Sequence, residues 1–356
     1  MTDVWSTRRI LPVAMLLTLT ATGAVADPAR YRLVTVPDGA SVQRSLDRED
    51  TNGLALLAAA SGHGIDGRPR ILLLLERAER PVEHVVLEAS GRLDTLAVTA
   101  RLGELGDRGC ELREPAVIVE RVVGQWLPEE AADPRFWLIF ACSAEASPRE
   151  FTAVAYREPR SFAQRLRELH GRGFRILGLW NSGRHLQAVL CRAAGKKADP
   201  RGGEPRLFIR SNYTALRAAL RSAAGGGWRA IAATDPSTAG PPVVLMDRLA
   251  ERRDARDYGL VPDIPGKSRK GKLRKMLRRR GRGGWLLAPA VSTDTVLGFE
   301  RDPEGSQVYE YRVLESGTPP GLERSLEEAV AAGYRFLRLL PSPTETFVVV
   351  GRPLEE

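Results

Sequence analysis

The chain has 356 residues, of which 43% are hydrophobic and 27% are charged, and its formal net charge at pH 7 is +9. This composition excludes disorder over most of the length and predicts about two domains of ordinary size. No internal stretch approaches the roughly 20 apolar residues that a membrane-spanning helix needs.

The first 26 residues have the pattern of a secretory signal peptide. Arg8 and Arg9 precede an apolar stretch that ends in Ala24-Val25-Ala26. A basic region, an apolar region and an A-x-A site in this order are typical of cleaved export signals. We expect cleavage after Ala26 and an exported mature chain, periplasmic or secreted. An uncleaved membrane anchor is the alternative.

A leucine followed seven residues later by a glycine occurs six times at regular intervals along the chain. In five copies an apolar residue also stands four positions before the leucine. Residues spaced four apart line one face of a helix, and a glycine just past the helix end adopts the left-handed conformation that stops it. The pattern predicts six helices, each with a glycine cap. The predicted pairs are Leu57/Gly64, Leu102/Gly109, Leu166/Gly173, Leu220/Gly227, Leu277/Gly284 and Leu326/Gly333.

The residue after each cap glycine is apolar or bulky, and we expect it to fold back onto the last helical turn. This places large rings over smaller side chains in three copies. The expected partners are Phe174 with Leu169, Trp228 with Ala223, and Tyr334 with Ala329.

Apolar runs flank each predicted helix, one before it and two after it, and the last run ends near an arginine. The predicted fold class is α+β, with about six tandem β-α-β-β repeats, each a helix packed on a small sheet. Units of this size need to share cores by stacking or by pairing sheet edges, and an arc, a ring and paired halves all stay open. The expected closing arginines are Arg77, Arg121, Arg192, Arg248, Arg301 and Arg352. The expected repeat boundaries are 27–79, 80–145, 149–194, 204–249, 254–302 and 306–354.

The second copy is irregular because it carries one apolar run more than the others. The run from Phe136 to Ala141 is either an additional strand or the true final strand of that copy.

The repeat unit resembles a family of short bacterial domains of unknown function. In that family a leading strand is followed by a helix that ends in Gly-Trp or a similar pair, and by two strands of which the last ends in Glu-Arg or Lys-Arg. The resemblance covers most of the mature chain and implies no activity. The matching pairs here are Gly227-Trp228, Gly284-Trp285, Gly333-Tyr334, Glu76-Arg77, Glu120-Arg121 and Glu300-Arg301.

One segment, from Lys267 to Arg282, contains ten basic residues and no acidic one, and subtracting its charges from the chain total leaves −1. It coincides with the fifth predicted helix. It is either a solvated helix face or a surface that binds anions. Export argues against nucleic acid and favours phospholipid head groups, lipopolysaccharide or an acidic envelope protein. The basic residues are Lys267, Arg269, Lys270, Lys272, Arg274, Lys275, Arg278, Arg279, Arg280 and Arg282.

The sequence contains no recognisable catalytic, metal-binding or cofactor-binding signature. The histidines lack the spacing of metal ligands, so we expect surface or packing roles for His63, His84, His170 and His185. Acidic residues recur near the ends of the last strands. We favour exposed, charged strand ends that oppose aggregation over a repeated site. These acids are Glu76, Glu120, Asp247 and Glu300.

The chain has three cysteines, Cys110, Cys142 and Cys191. This number allows one disulfide bond and leaves one thiol, and we favour three buried free thiols because so few cysteines make no disulfide framework. Which two would pair is left open. Cys110 is expected to be a core thiol rather than a nucleophile.

These features favour an exported, non-enzymatic repeat protein that binds or scaffolds in the cell envelope, with an unidentified ligand and an open oligomeric state. A peripheral protein that binds anionic lipid or lipopolysaccharide through the basic helix is one alternative. A hydrolase with an unrecognised site is another.

Overall fold

The computed structural model describes residues 29–63, 69–120, 135–181, 185–195, 205–210, 212–234, 243–248, 256–262, 270–288, 292, 296–302, 307–316, 318–341 and 346–354. The predicted signal peptide lies outside these ranges. Lys267 and Arg269 of the basic segment also lie outside them.

The described residues form six units, and each contains a strand, a helix and two further strands. The prediction of an α+β architecture built from repeated units is confirmed. None of the helices has the length and apolar character needed to cross a bilayer in the described part of the chain.

Repeat 1 comprises β1 (Tyr31–Val36), α1 (Val42–Asp50), β2 (Leu54–His63) and β3 (Pro69–Arg77). Repeat 2 comprises β4 (Glu83–Ser90), α2 (Leu96–Asp107), β5 (Glu111–Glu120) and β6 (Arg135–Cys142). Repeat 3 comprises β7 (Arg149–Tyr156), α3 (Pro159–Gly171), β8 (Arg175–Asn181) and β9 (Leu186–Ala193). Repeat 4 comprises β10 (Arg206–Ile209), α4 (Tyr213–Ala224), β11 (Trp228–Thr234) and β12 (Val243–Arg248). Repeat 5 comprises β13 (Asp257–Pro262), α5 (Lys270–Arg282), β14 (Leu286–Leu287) and β15 (Val296–Arg301). Repeat 6 comprises β16 (Val308–Ser316), α6 (Pro319–Ala331), β17 (Arg335–Pro341) and β18 (Thr346–Leu354).

Each repeat folds its three strands into an antiparallel sheet in which the third strand lies between the first and the second. The third strand is therefore covered on both faces. In β3 the odd residues Ile71, Leu73 and Leu75 face one hydrophobic core, whereas Leu72 and Leu74 face another. A strand buried on both faces needs a continuous apolar run rather than an alternating one, which explains the sequence Ile-Leu-Leu-Leu-Leu.

The six repeats form a closed ring. Each helix packs on the first strand of the following repeat, and the last helix, α6, packs on β1 of the first repeat. Second strands of neighbouring repeats also contact each other, as β2 does with both β5 and β17. Because the sheets of a closed ring converge toward its axis, the second strands lie on the inner side.

The ring has one hydrophobic core at each junction between repeats. Every core contains a helix, one face of its own sheet and the opposite face of the next sheet. The core that closes the ring joins Leu322, Leu326 and Ala329 of α6 to Leu33 and Leu74 of repeat 1. No repeat therefore has a core of its own, which agrees with the marginal stability expected for units of about 50 residues.

The carboxylates of α6 reinforce this closing junction. The backbone N–H of Leu33 donates to Glu323 Oε1 at 2.8 Å, and the N–H of Arg30 donates to Glu327 Oε1 at 2.7 Å. These bonds cover the outer edge of β1, where unpaired backbone groups would otherwise invite another strand.

The helices end at glycines with a positive φ, which are Gly53, Gly109, Gly173, Gly227, Gly284 and Gly333. In four repeats the N–H of the next residue donates to the carbonyl five positions earlier, as Phe174 does to Leu169 at 3.1 Å and Tyr334 to Ala329 at 3.0 Å. This bond defines the Schellman arrangement.

The helix of the first repeat begins and ends 11 residues earlier than the Leu57/Gly64 pattern predicts. Leu57 lies in β2, and Gly64 is outside the described residues, so the Leu57/Gly64 interpretation is wrong for the helix. Helix α1 instead uses Leu46 and the cap glycine Gly53, which have the same spacing of seven. Leu57 is the bulged residue of β2, where the register to β3 shifts between Leu56 and Ala58.

The irregular second copy ends with β6, which contains Phe136 to Ala141 and is the true third strand of that sheet. The run before Arg121 belongs to β5, the second strand. The expectation that Arg121 closes the repeat is therefore wrong, and Cys142 takes that place.

Candidate anion-binding surface

The residue after each cap glycine lies opposite a residue at or near the end of the third strand, and this pair recurs in all six repeats. The two residues are paired directly in repeats 1 and 4, and they lie one step beyond the paired residues in the other four. In five repeats the facing residue is an arginine. Neighbouring antiparallel strands bring such opposite side chains into contact. The six pairs are Leu54/Arg77, Cys110/Cys142, Phe174/Arg192, Trp228/Arg248, Trp285/Arg301 and Tyr334/Arg352.

Repeat 3 shows what this arginine does. The Arg192 guanidinium lies 4.7 Å from the centre of the Phe174 ring, pairs with Glu150 Oε2 at 2.5 Å, and donates to the carbonyl of Arg172 at 2.9 Å. It therefore joins the helix end, the first strand and the third strand. Repeat 6 uses the same contacts: Arg352 lies over Tyr334 at 4.6 Å and pairs with Glu310 at 2.8 Å. We call this arrangement the arginine clamp.

A disulfide bond replaces the clamp in repeat 2. Cys110 stands where four other repeats have a ring and repeat 1 has Leu54. Cys142 stands where these repeats have the arginine, and the two sulfur atoms are bonded. Cys191 is a buried free thiol in the same core. The expectation of three free thiols is wrong, because the cross-strand register brings these two cysteines of distant sequence together.

Helix α5 packs Leu273 and Leu277 into the junction between repeats 5 and 6 and turns its other faces outward. Two of its cations, Lys270 and Arg274, pair with Glu315 of β16. Five others are exposed and form no ion pair with any residue that the structure describes. These five are Lys272, Lys275, Arg278, Arg279 and Arg282.

Arg280 differs from these exposed cations because it is half-buried. Its guanidinium lies over the rings of Trp285, at 4.8 Å, and Phe299, at 5.4 Å. Burial lowers the pKa of Arg280, and the nearby charges of Arg217, Arg279, Arg221 and Arg301 lower it further. Arg217 and Arg221 belong to α4 and lie outside the basic segment that the sequence indicates. Their i, i+4 spacing on the helix preceding the basic segment was the available signal.

Three of the four recurring carboxylates are not exposed strand ends. Asp247 and Glu300 are both 8% exposed, and Glu300 pairs with Arg229 of the preceding repeat at 3.2 Å. Glu76 accepts hydrogen bonds from Arg30 and from the Tyr31 hydroxyl. The aggregation-related interpretation is therefore wrong for these three residues. The side chain of Glu120 lies outside the described part.

The histidines differ in their surroundings. His84 is buried; its Nδ1 contacts Asp50 Oδ1 and its Nε2 accepts the N–H of Leu56 at 3.0 Å, so it joins repeats 1 and 2. His170 Nε2 lies 3.8 Å from Asp247 Oδ2 across the junction of repeats 3 and 4. Burial raises the pKa of the Asp247 carboxyl, whereas the nearby charges of His170 and Arg175 oppose the rise.

No three histidine, cysteine or acidic side chains come together as a metal site within the described ranges. No protein-family model, curated protein or solved structure matches this chain. The geometry of the ring and its basic surface are therefore the features that bear on function.

Proposed function

We propose that this protein is an exported, non-enzymatic binding module whose ring of repeats presents helix α5 to anionic lipid head groups of the cell envelope. The N-terminal pattern supports export, and the repeat architecture supports a scaffold. The alternative from the sequence is a hydrolase. No group of side chains among the described residues specifically favours it.

The observation that carries the proposal is the uncompensated charge of α5. Helix α6 has acidic residues that bond to the next repeat, and α3 pairs Arg165 with Glu168 at 3.0 Å. Helix α5 has no acidic residue of its own, and five of its exposed cations form no ion pair with a described residue. Basic side chains close to an anionic membrane contribute about 1 kcal/mol each.

Sedimentation with lipid vesicles tests this proposal. We expect the mature chain to bind vesicles that contain phosphatidylglycerol and not vesicles of phosphatidylcholine alone, with weaker binding at high salt because salt screens exposed charges. The test variant replaces Lys272, Lys275, Arg278, Arg279 and Arg282 with glutamine. Each removed charge should weaken partitioning about fivefold.

A matched control variant carries the same number of glutamines at exposed arginines on four other helices. These arginines are Arg44, Arg48, Arg101, Arg160 and Arg324. The control has the same net charge as the test variant, so it should retain most of the binding if α5 is the contact surface. Binding that ignores salt, or that falls equally in both variants, contradicts the proposal.

A further inference from the structure

Repeat 5 has an arginine at a position where four other repeats have an apolar residue and repeat 1 has the buried Glu49. Arg280 stands four residues before the cap glycine Gly284, on the stripe of α5 that faces the core. The equivalent residues of α2, α3, α4 and α6 are Leu105, Leu169, Ala223 and Ala329. Each of these four is buried.

The first strand of the same repeat makes room for this arginine. A Cβ atom built at Gly259 of β13 would lie 3.0 Å from Arg280 Nη1 and 3.2 Å from Cζ3 of Trp285. Other first strands have a side chain at this position, such as Thr152 in β7 and Arg312 in β16. The guanidinium of Arg280 therefore lies close to a first-strand position that has no side chain, and a larger residue there would require it to shift.

The charges around Arg280 are not balanced. It lies near four other arginines, and the only described carboxylate that pairs with any of the five is Asp257, which binds Arg301 at 2.5 Å. Arg301 also lies over Trp285, at 4.9 Å. Two guanidinium groups thus contact one indole ring. Among the described residues, one carboxylate pairs with this group of five arginines.

The junction of repeats 6 and 1 in the same ring shows how such a cluster is balanced elsewhere. In repeat 6, Arg312 and Arg352 both approach Tyr334, and Glu310 lies between 2.8 and 3.9 Å from them. At the positions that Arg217 and Arg221 hold in α4, helix α6 has two glutamates that bond to the next repeat. The junction of repeats 4 and 5 therefore has basic residues where its counterpart has acidic ones.

We propose that Arg217, Arg221 and Arg280 form a binding site for a phosphate-bearing anion, such as a diphosphate group. Guanidinium groups bind phosphate oxygens through paired, charge-assisted hydrogen bonds. The half-buried Arg280 is held by Trp285 and Gly259, and the two α4 arginines extend the site outward. This inference rests on the proposed binding function and names the chemical group that one part of the surface recognises.

Calorimetric titration with inorganic pyrophosphate tests the site on the mature chain at low ionic strength. We expect saturable binding with one site per chain. The variant Arg217→Gln/Arg221→Gln should weaken it about tenfold or more, as expected from the loss of at least one charge-assisted hydrogen bond. These residues do not contact Trp285 among the described contacts, so the fold should persist. The control Arg44→Gln/Arg48→Gln has the same i, i+4 spacing on α1 and should bind as the unmodified chain does.

The outcomes separate this site from the proposed function. No saturable pyrophosphate binding, or equal binding by the Arg217→Gln/Arg221→Gln variant, overturns the site even if vesicles still bind. Pyrophosphate binding without any vesicle binding supports the site for a soluble ligand and overturns the lipid proposal. Competition between pyrophosphate and phosphatidylglycerol vesicles supports a lipid head group as the source of the phosphate.

Discussion

At the scale of single residues, one structural task is performed by two different chemistries. The clamp arginines join the helix cap to the third strand through a ring contact, an ion pair and a bond to a helix carbonyl, as Arg192 shows. In repeat 2 the covalent bond between Cys110 and Cys142 joins the same two positions. Arg192, Arg301 and Arg352 therefore have structural roles, since each contacts the ring of its repeat and pairs with a carboxylate of the first strand.

The disulfide should contribute measurably to stability. It closes a loop with a sequence separation of 32 residues, for which loss of unfolded-state entropy predicts about 3–4 kcal/mol. We expect the double variant Cys110→Ser/Cys142→Ser to lose about this much free energy of unfolding in urea titrations. Reductant should destabilise the Cys191→Ala variant as much as the unmodified chain. An unfolding curve of the unmodified chain that ignores reductant would contradict the prediction.

Asp247 should make the protein less stable at neutral pH. Burial raises the pKa of its carboxyl above the ordinary 3.8, opposed by the charges of His170 and Arg175. A raised folded-state pKa contributes stability below the unfolded pKa, and this contribution is lost as pH rises through the folded value.

We therefore expect Asp247→Asn to raise the free energy of unfolding at neutral pH, with a gain that shrinks as pH falls toward 3.8. Urea titrations across this pH range measure the difference. Asp107→Asn, at an exposed position of α2, is the control and should leave the pH dependence unchanged. A destabilised Asp247→Asn variant at neutral pH would show that the charged carboxylate is favourable.

At the scale of elements, the recurring contact is a helix end crossing the first strand of the next repeat. A Cβ atom at Gly106 of α2 would lie 2.3 Å from the carbonyl oxygen of Arg149, and Gly281 of α5 approaches the Tyr309 carbonyl in the same way. Glycine at these positions permits close packing of helix on strand. In α1 the same position holds Asp50, whose carboxylate contacts the His84 side chain of β4.

Side chains of the next repeat accept backbone N–H groups of the second strands. His84, Tyr258 and Tyr311 occupy equivalent positions in their first strands. Their side chains accept the N–H of Leu56, Ala230 and Leu287, respectively, at 2.9–3.0 Å. In β2 and β11 these acceptors satisfy backbone groups next to the irregular pairing, and in β14 the acceptor satisfies the N–H at the strand end. An unpaired buried N–H is costly.

Two glycines in α2 allow the effect of close packing on stability to be distinguished from the effect of backbone conformational entropy. Gly103 has no neighbour within 4 Å of a built Cβ atom, so Gly103→Ala should stabilise the protein by about 0.5–1 kcal/mol. Gly106→Ala should destabilise it by about 1–3 kcal/mol, since the helix must move away from β7. Thermal and urea unfolding of both variants provide the comparison. Equal effects would mean that α2 does not approach β7 this closely.

At the scale of the whole molecule, the chain closes on itself. The core shared by α6 and repeat 1 is equivalent to the five cores between consecutive repeats. An open array would leave the helix face of one end and the sheet face of the other exposed to water. Closure buries both faces, so the stability of the first repeat and that of the last repeat depend on their contact with each other.

Because the ring is closed, a substitution that destabilises the last repeat should also destabilise the first. Leu326 of α6 is fully buried, and Leu326→Ala should cost about 2–5 kcal/mol. Hydrogen exchange should then show lower protection in β1 and β3 of repeat 1 as well as in β18. The control Leu220→Ala in α4 removes an equally buried leucine and should affect repeats 4 and 5 first. Loss of protection confined to repeat 6 in Leu326→Ala would indicate an open array.

Much of the repeat unit was predictable because its signals are local. A helix stripe with glycine seven residues after the key leucine needs only neighbouring residues, so five of the six caps could be placed. The first copy failed because Leu46/Gly53 and Leu57/Gly64 satisfy the same spacing. Only the pairing of β2 with β3 and the packing of Leu57 against the closing core distinguish them. The exposed face of α5 was likewise predictable from its run of basic residues.

The amino-acid sequence by itself determined the unit, its strand and helix order and the location of the excess charge, since each depends on residues close along the chain. Tertiary structure alone decided the closed ring, the bond between Cys110 and Cys142, the burial of Asp247 and the arginine cluster around Trp285. These features arise where distant segments pack together. Their partners are selected by register and shape, which a local pattern does not contain.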